Sequence, residues 1–516
     1  MADTKREIER KYESDDSGLP DLTAVTGVDA VVDKGVAHLD ATYYDTADER
    51  LAASAITLRR RTGGADAGWH LKFPVAPGVR DEIHAPLSDS LPRSLAGLVR
   101  SRVRDAELRP VVRLLSDRDI RDLVDAGGRL LAEVSVDAVR AERLTGDGGV
   151  AQWTELEVEL ADGGDPEFLD KVDKRLRKAG VRPSASASKL ARALAETAPR
   201  KKGGKTAKTG RAVNAGKAGG QRQPSPPETA GDHVLAYVRE QRDALVELDP
   251  AVRQDAYESV HRMRVATRRM RSAFLSYAKV LDRTVTDPIG EELKWLAGEL
   301  GVDRDQEVLA ERLTAALTEL PRTLVYGPVR TRLRTWMHAR HGGSRRRLIG
   351  VLDSTRYLTL LDSVDALVAE PPLLRAAAGS PEKVIGKAVR KDFGKLAGMV
   401  EQAIAAEPGT ERDLALHEAR KKAKRTRYAA EAAIASLGDP ATALAKSMKS
   451  LQNLLGDHQD SVMTRQTLRE LSAVAHAAGE NVFTYGLLYG REEARAAADE
   501  TELPGAWREV TGGMRV

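Results

Sequence analysis

Glu7, Glu9 and Lys11 alternate along Glu7-Ile8-Glu9-Arg10-Lys11-Tyr12, and Glu155, Glu157 and Glu159 alternate along Glu155-Leu156-Glu157-Val158-Glu159. Residues two apart in a β-strand share a face, so each run puts its charges on one side. In the second run Leu156, Val158 and Leu160 then point the other way. Arg59 with Arg61, His70 with Lys72, and Glu133 with Asp137 repeat the pattern with other charges. A solvated sheet face would mix Thr, Ser and Gln among its charges, and these faces are purely charged. If the sheet closes, the charges line its interior. Carboxylates gather only around something positive, most simply a divalent metal, and Arg and Lys facing the same space require an anion. Carboxylates, a metal and many cations together suit a polyphosphate chain.

The segments that must position these residues are short, strand-like runs separated by turns such as Gly63-Gly64 and Gly146 to Gly149. They predict an antiparallel sheet or barrel, with helical stretches near 91–103, 117–126 and 166–179. The chain has no Cys, which removes disulfides, thiolate nucleophiles and Cys-metal sites. Of the histidines here, His70 is a candidate substrate contact, while His38 and His84 read as structural or surface residues.

A second chemistry lies further along. His261, Arg264, Arg268 and Arg271 stand at offsets 0, +3, +7 and +10, and His417, Arg420, Lys424 and Arg427 repeat them. At about 100° per residue these positions fall within about 80° on a helix, as one basic stripe. Met263, Met270, Phe274 and Tyr277 fall on the opposite, core face, as do Ala419, Ala423 and Ala430. The stripes read as lacking the acidic i+4 partners of an ordinary surface helix, and stacked like charges call for an anion. Aromatics for base stacking are missing apart from Tyr428, which favours a phosphate backbone without bases. Leu300-Gly301-Val302-Asp303-Arg304-Asp305 ends 44 residues after the first His, and Leu455-Gly456-Asp457-His458-Gln459-Asp460 ends 43 after the second. The matched spacing marks an internal repeat, in which Asp305 and Asp460 would orient the bases.

The 516 residues carry 31% charged and 41% hydrophobic residues and a net charge of +4, so wholly disordered chains are excluded. Arg200, Lys201, Lys202, Lys205, Lys208, Arg211, Lys217 and Arg222, with no acid between them, exceed that net charge by themselves. The rest of the chain is therefore net negative, and function has to be argued from local clusters. The organisation expected is a domain over 1–198, a basic flexible linker over 199–228, and an all-α domain over 229–512 in two repeats, roughly 229–365 and 380–512. The charged start lacks the apolar core of a signal peptide, and no apolar run reaches the ~18 residues of a membrane span. The expectation is a cytoplasmic protein without a membrane partner.

Residues 1–195 resemble the CYTH domain of the triphosphate tunnel metalloenzymes. The resemblance rests on Glu7-x-Glu9-x-Lys11, Tyr43-Tyr44-Asp45-Thr46, Leu58-Arg59-Arg60-Arg61, Trp69-x-x-Lys72, Glu82, Arg113, Glu155 to Glu159 and Ser188-Lys189. It implies an α+β unit built on an eight-stranded antiparallel β tunnel with flanking helices, binding triphosphate compounds with Mg²⁺ or Mn²⁺. It implies Glu7, Glu9, Glu157 and Glu159 as metal ligands, with Asp137 and Glu155 beside them. Lys11, Arg59, Arg61, Lys72, Arg113 and Lys189 would grip phosphate oxygens. Val136 stands where relatives often have a second acid.

Residues 229–512 resemble the CHAD domain through the two His-led motifs, Arg304-Asp305 and Leu455-Gly456-Asp457. That resemblance implies two pseudo-symmetric helical bundles around a basic surface that binds inorganic polyphosphate. The function expected is metal-dependent hydrolysis of inorganic triphosphate, with long-chain polyphosphate held by the helices and association with polyphosphate deposits. The alternatives are a non-catalytic polyphosphate receptor or a tunnel acting on an organic triphosphate, as thiamine triphosphatase or adenylate cyclase. Specific nucleic-acid binding is not expected.

Overall fold

The computed structural model describes residues 3–14, 18–146, 148–199 and 227–512, without the side chains of 303–307 and 339–344. The expected linker over 199–228 therefore falls almost wholly outside the described residues, as do the side chains of Arg304 and Asp305. The chain divides into two compact units, Met1–Gln221 and Arg222–Val516.

The first unit is built on strands β1 (Asp3–Ser14), β2 (Ala30–Asp45), β3 (Thr57–Thr62), β4 (Gly68–Ala76), β5 (Val79–Pro86), β6 (Arg109–Val124), β7 (Leu130–Arg143) and β8 (Val150–Leu160). They close into a ring in the order β1-β5-β4-β3-β2-β6-β7-β8, with every neighbouring pair antiparallel. Helices α1 (Arg50–Ala53), α2 (Arg93–Val103), α3 (Glu167–Lys178) and α4 (Lys189–Glu196) accompany the ring.

The barrel is built inside out. On β8, Leu156, Val158 and Leu160 pack outward with Tyr12 against Phe168, Leu169, Val172 and Leu176 of α3. Leu58, Trp69, Leu71 and Ile83 pack in the same way against Leu95, Leu98, Val99 and Val103 of α2. Burying each such side chain contributes roughly 1.5–3 kcal/mol, so the apolar faces hold the helices and the charged faces are left to the lumen.

Two sequence expectations change. The stretch 117–126, expected as helix, lies in β6 up to Val124. Its apolar residues Ile120 and Leu123 mimic a helical spacing, but β2 and β7 pair with β6 along nearly its whole length and satisfy the backbone there. β2, a 16-residue strand, was not anticipated; its first half is largely exposed and has no apolar alternation.

The second unit contains helices α5 (Ala230–Arg253), α6 (Ser259–Ser276), α7 (Arg283–Glu299), α8 (Gly301–Thr318), α9 (Val329–Leu352), α10 (Thr355–Ala369), α11 (Pro381–Ala405), α12 (Thr410–Leu437), α13 (Asp439–Ala477) and α14 (Phe483–Gly512). The first of these opens with a reciprocal capping box between Thr229 and Asp232. Met263, Met270 and Phe274 of α6, Tyr277 at its C-terminal end, and Ala419, Ala423 and Ala430 of α12 all enter one apolar core, as their spacing predicts. A smaller cluster joins α8 and α9 to α13 and α14 through Leu313, Leu333, Leu471 and Leu488. The repeat is not exact in backbone: one residue, Leu300, still in the right-handed helical region, separates α7 from α8, whereas Leu455-Gly456 lies inside the 39-residue helix α13. Among the described residues no helix is long and apolar enough to cross a membrane.

Candidate functional site

The barrel interior is a charged cavity of about 460 Å³. Glu7, Glu9, Lys11, Arg59, Arg61, Lys72, Glu157, Glu159 and Lys189 all line it, which is the face-sharing that period-2 alternation predicts. The ring order separates the charges. Arg59 and Arg61 on β3 sit four strands from Glu157 and Glu159 on β8, the far side of an eight-strand ring.

The acidic wall is tied up in buried ion pairs. The Lys72 ammonium donates to Glu7 Oε2 at 2.5 Å. Lys11 bridges Glu9, at 3.1 Å, and Glu157. Lys189 sits within 3.0 Å of Asp137, 2.7 Å of Glu155 and 2.6 Å of Glu157. Burial raises the Glu157 carboxyl, but Lys11, Lys189 and Arg118 together hold it well below the usual carboxylate range. Glu7 goes the other way: burial, with the adjoining Glu82, pushes it up to about 7 against the pull of Lys72.

The basic wall is less compensated. Arg59 donates to the Tyr43 hydroxyl at 3.3 Å and comes only within 4.0 Å of Glu82. Arg61 pairs with Asp66. The Nε atoms of both arginines are buried without a hydrogen-bond partner. Burial, together with Arg59 and Arg118, pushes the Arg61 guanidinium down to about 9. A group that always prefers its charge is thus short of negative partners.

Three expected residues sit elsewhere. Arg113 is exposed and makes a two-point pair with Asp40 at 3.0 and 2.6 Å, away from the cavity lining. Asp137 and Glu155 are buried beside the cavity rather than lining it. Among the described residues, Asp137, Glu155 and Glu157 are one of two sets whose ligand atoms lie within 4.8 Å of one another. Here the Lys189 ammonium already stands among the three, and Arg118 donates twice to Asp137 at 2.8 Å.

A second acidic row, Glu9, Glu159 and Glu133, crosses three strands; Lys11 holds Glu9 at 3.1 Å, Lys5 donates to Glu159 at 2.8 Å, and the row is not among the sets of described residues whose ligand atoms converge within 4.8 Å. Glu9 stands across from Glu159, and Glu133 across from Glu159 on its other side. Burial and Glu159 push the Glu133 carboxyl up despite Arg118. Carboxylate oxygens are the donors that a hard divalent cation takes.

Sequence reasoning missed Arg118, Arg80, Glu133 as a ligand, and Glu82 as a lining residue. Arg118 lies five residues after Arg113 on one strand, so alternation alone puts the two on opposite faces. His70 lines the cavity, with Nδ1 2.8 Å from Glu82 and Nε2 2.9 Å from the Asp66 carbonyl.

In the helical unit, His261, Arg264 and Arg268 of α6 and His417, Arg420 and Lys424 of α12 line one cavity of about 430 Å³. The two motif copies therefore face a shared space. Arg271 and Arg427 do not line it. Arg271 approaches Glu291 at 3.6 Å, and Arg427 donates to Glu431 at 2.8 Å, an i+4 partner that the stripe was expected to lack. Both occupy the +10 position, at the edge of the stripe. Arg312 of α8 joins the cavity, held from behind by buried Glu492 at 2.7 Å, and no motif announces it. Asp460 lines the same space.

The copies match in one further detail. A Cβ at Gly301 would lie 2.7 Å from the Arg264 guanidinium, and one at Gly456 would lie 3.5 Å from that of Arg420. In each copy the motif arginine lies against a helix at a glycine, and only at Gly301 would a Cβ be too close.

The sequence model of the CYTH domain matches residues 5–194, and that of the CHAD domain matches residues 236–469. The chain belongs to the CYTH–CHAD two-domain proteins. A Mycobacterium tuberculosis protein, Uncharacterized protein Rv2226, is 38% identical over 99% of this chain and 97% of its own length. Among solved structures, PptA from Streptomyces chartreusis is 20% identical with a TM-score of 0.46, over 55% of this chain and 99% of its own. The CHAD domain from the plant Ricinus communis is 22% identical with a TM-score of 0.44, over 56% of this chain and 94% of its own. CYTH domains are metal-dependent, and the facing carboxylates of this CYTH tunnel provide donors of the right kind.

Proposed function

We propose that the CYTH tunnel hydrolyses inorganic triphosphate or a related triphosphate compound with Mg²⁺ or Mn²⁺, and that the CHAD cavity binds long-chain polyphosphate. The observation that carries the first part is the opposition of Arg59 and Arg61 on β3 to the carboxylates of β8, with both arginine Nε atoms buried and unpartnered. A phosphate chain between the walls gives those atoms their acceptors.

Glu7, Glu9, Glu157 and Glu159, with Glu133, would hold the metal; when bound it supplies charge neutralisation at phosphate oxygens and acidifies a bound water. Arg59, Arg61 and Lys72 grip the chain and spread the charge that develops as a phosphoanhydride bond breaks. Lys11 and Lys189 offer further cations on the acidic side, where both are already oriented by Glu157. Glu7, with its carboxyl near 7, releases its proton when cationic charge enters and regains it when that charge leaves. No protein nucleophile takes part. An inorganic substrate is preferred because the lining is dominated by charged groups, and its single tyrosine, Tyr43, accepts from Arg59.

The second part rests on the convergence of both His-led motifs on one cavity. Neutral His261 and His417 would donate hydrogen bonds, and protonated they would add charge. A deposit of polyphosphate would then be a binding partner of the whole chain.

The test compares phosphate release by the full chain from tripolyphosphate, ATP and thiamine triphosphate. Fastest release from tripolyphosphate supports the proposal. Preference for ATP or thiamine triphosphate replaces the inorganic substrate with an organic one. Binding without release from any of them makes the protein a two-site polyphosphate receptor.

A further inference from the structure

His458 does not line the CHAD cavity, and the basic stripes do not use it. It lies on α13, 2% exposed, with Nε2 3.2 Å from Glu500 Oε1 of α14 and 3.4 Å from Asp413 Oδ1 of α12. Three donor atoms from three helices thus converge, all within 4.8 Å of one another. That separation lets one ion touch all three at the ~2.0–2.2 Å of metal–nitrogen and metal–carboxylate bonds.

The division of labour within each carboxylate is the telling feature. Glu500 turns Oε1 to His458 and gives Oε2 to Arg412 at 2.8 Å. Asp413 turns Oδ1 to His458, while Arg465 approaches its Oδ2 at 3.6 Å. Each acid therefore has one oxygen steadied from outside by an arginine and one aimed at the shared centre. Outer partners that fix the orientation of ligating carboxylates are the usual surroundings of a protein metal site. Beside Glu500, Asp499 Oδ2 is buried without a hydrogen-bond partner.

We propose that Asp413, His458 and Glu500 form a second divalent-metal site, in the helical unit, of the mixed imidazole–carboxylate type that takes Zn²⁺ or a neighbouring transition ion. This donor set differs from the all-oxygen row of the tunnel, so the two sites prefer different metals. The ion replaces the proton on His458 Nε2 and carries no reaction. It fastens α12, α13 and α14 beside the anion cavity, since Gln459, the next residue, bonds His417 Nδ1 at 2.7 Å. The inference is independent of the tunnel's activity.

The experiment loads the full chain with Zn²⁺ or Co²⁺, dialyses it, and measures metal content and the visible Co²⁺ spectrum. Glu9→Gln is included to remove tunnel binding, with His458→Gln and Glu500→Gln each made in that background. The expected result is about one Zn²⁺ per chain in Glu9→Gln, with a Co²⁺ spectrum showing nitrogen ligation. Adding His458→Gln or Glu500→Gln abolishes both, while circular dichroism stays helical. Equal Zn²⁺ content in all three overturns the proposal and leaves the triad as an ion-pair clamp. If the added substitutions unfold the chain, the Glu9→Gln protein alone decides: a Co²⁺ spectrum without nitrogen ligation there also overturns it.

Discussion

Glu9 of β1 and Glu159 of β8 are cross-strand partners, two carboxylates face to face in the wall of a closed barrel. Glu133 of β7 extends the row on the other side of Glu159. Like charges directly opposite in a sheet are destabilising, by roughly 0.2–1 kcal/mol per pair. Lys11 at Glu9 and Lys5 at Glu159 offset part of that repulsion, and a bound cation would offset more.

Glu133→Gln removes the outer member of that row. Without metal it should stabilise the chain by roughly 0.2–1 kcal/mol, read from the urea midpoint at unchanged m-value. With Mn²⁺ the order should reverse, because the wild type gains more from the ion. A loss of metal-free stability would show that Arg118, not a metal, is the partner Glu133 serves.

Arg113 and Arg118 give a second prediction. Arg113→Ala removes a half-exposed pair with Asp40, worth about 0–1 kcal/mol, and should leave phosphate release unchanged. Arg118→Ala takes from Asp137, which is 0% exposed, the two-point partner at 2.8 Å and leaves it Lys189 alone, so it should cost more than Arg113→Ala, up to about 3–5 kcal/mol, and most of the phosphate release. Comparable losses in both would return Arg113 to the site.

These two arginines also mark how far the sequence could be read. The lumen faces of β1, β3, β4 and β8 were legible because strict alternation sets a charged side against an apolar one, as in Glu157 and Glu159 beside Leu156 and Val158. β6 was not, because Ile120 and Leu123 suggest a helix and only pairing with β2 and β7 shows otherwise. Without that strand, no alternation was available to choose Arg118 over Arg113. The helical core was legible from Met263 to Tyr277, since a period of 3.6 survives in sequence. The pairing of Arg427 with Glu431 was legible too, since Glu431 stands four residues on. Arg312 was hidden because it reaches the cavity from a different helix.

Glu7 predicts a pH dependence. Its folded pKa, about 7, lies above the ordinary 4.5. Folding therefore favours its neutral form, and that contribution is complete below about pH 4.5 and lost as pH rises through 7. Metal binding needs the charged form and runs the opposite way. Mn²⁺ affinity should rise about 10-fold from pH 6 to pH 8 by calorimetry, the change in ionised fraction across that pKa. Glu7→Gln should flatten the profile; an unchanged slope would assign it to another group.

Gly301 and Gly456 predict an asymmetry between the repeats. Gly301→Ala should push the Arg264 guanidinium from its seat and weaken polyphosphate binding several-fold. Gly456→Ala leaves an ordinary contact with Arg420, so binding should hold while the helix gains up to about 1 kcal/mol. Fluorescence titration with labelled polyphosphate and thermal melts would separate the two. Equal effects would mean that the arginines do not rest on these glycines.

The central claim is that facing carboxylates and a basic wall make the tunnel a metal-dependent triphosphatase. The most direct measurement is phosphate release from tripolyphosphate by the full chain as Mg²⁺ or Mn²⁺ is titrated, in wild type and Glu9→Gln. The account predicts release that requires the metal, saturates with it, and falls at least about 100-fold in Glu9→Gln, the scale of losing one electrostatic contact made in the transition state. Release that persists in chelator, or that Glu9→Gln leaves intact, would contradict it.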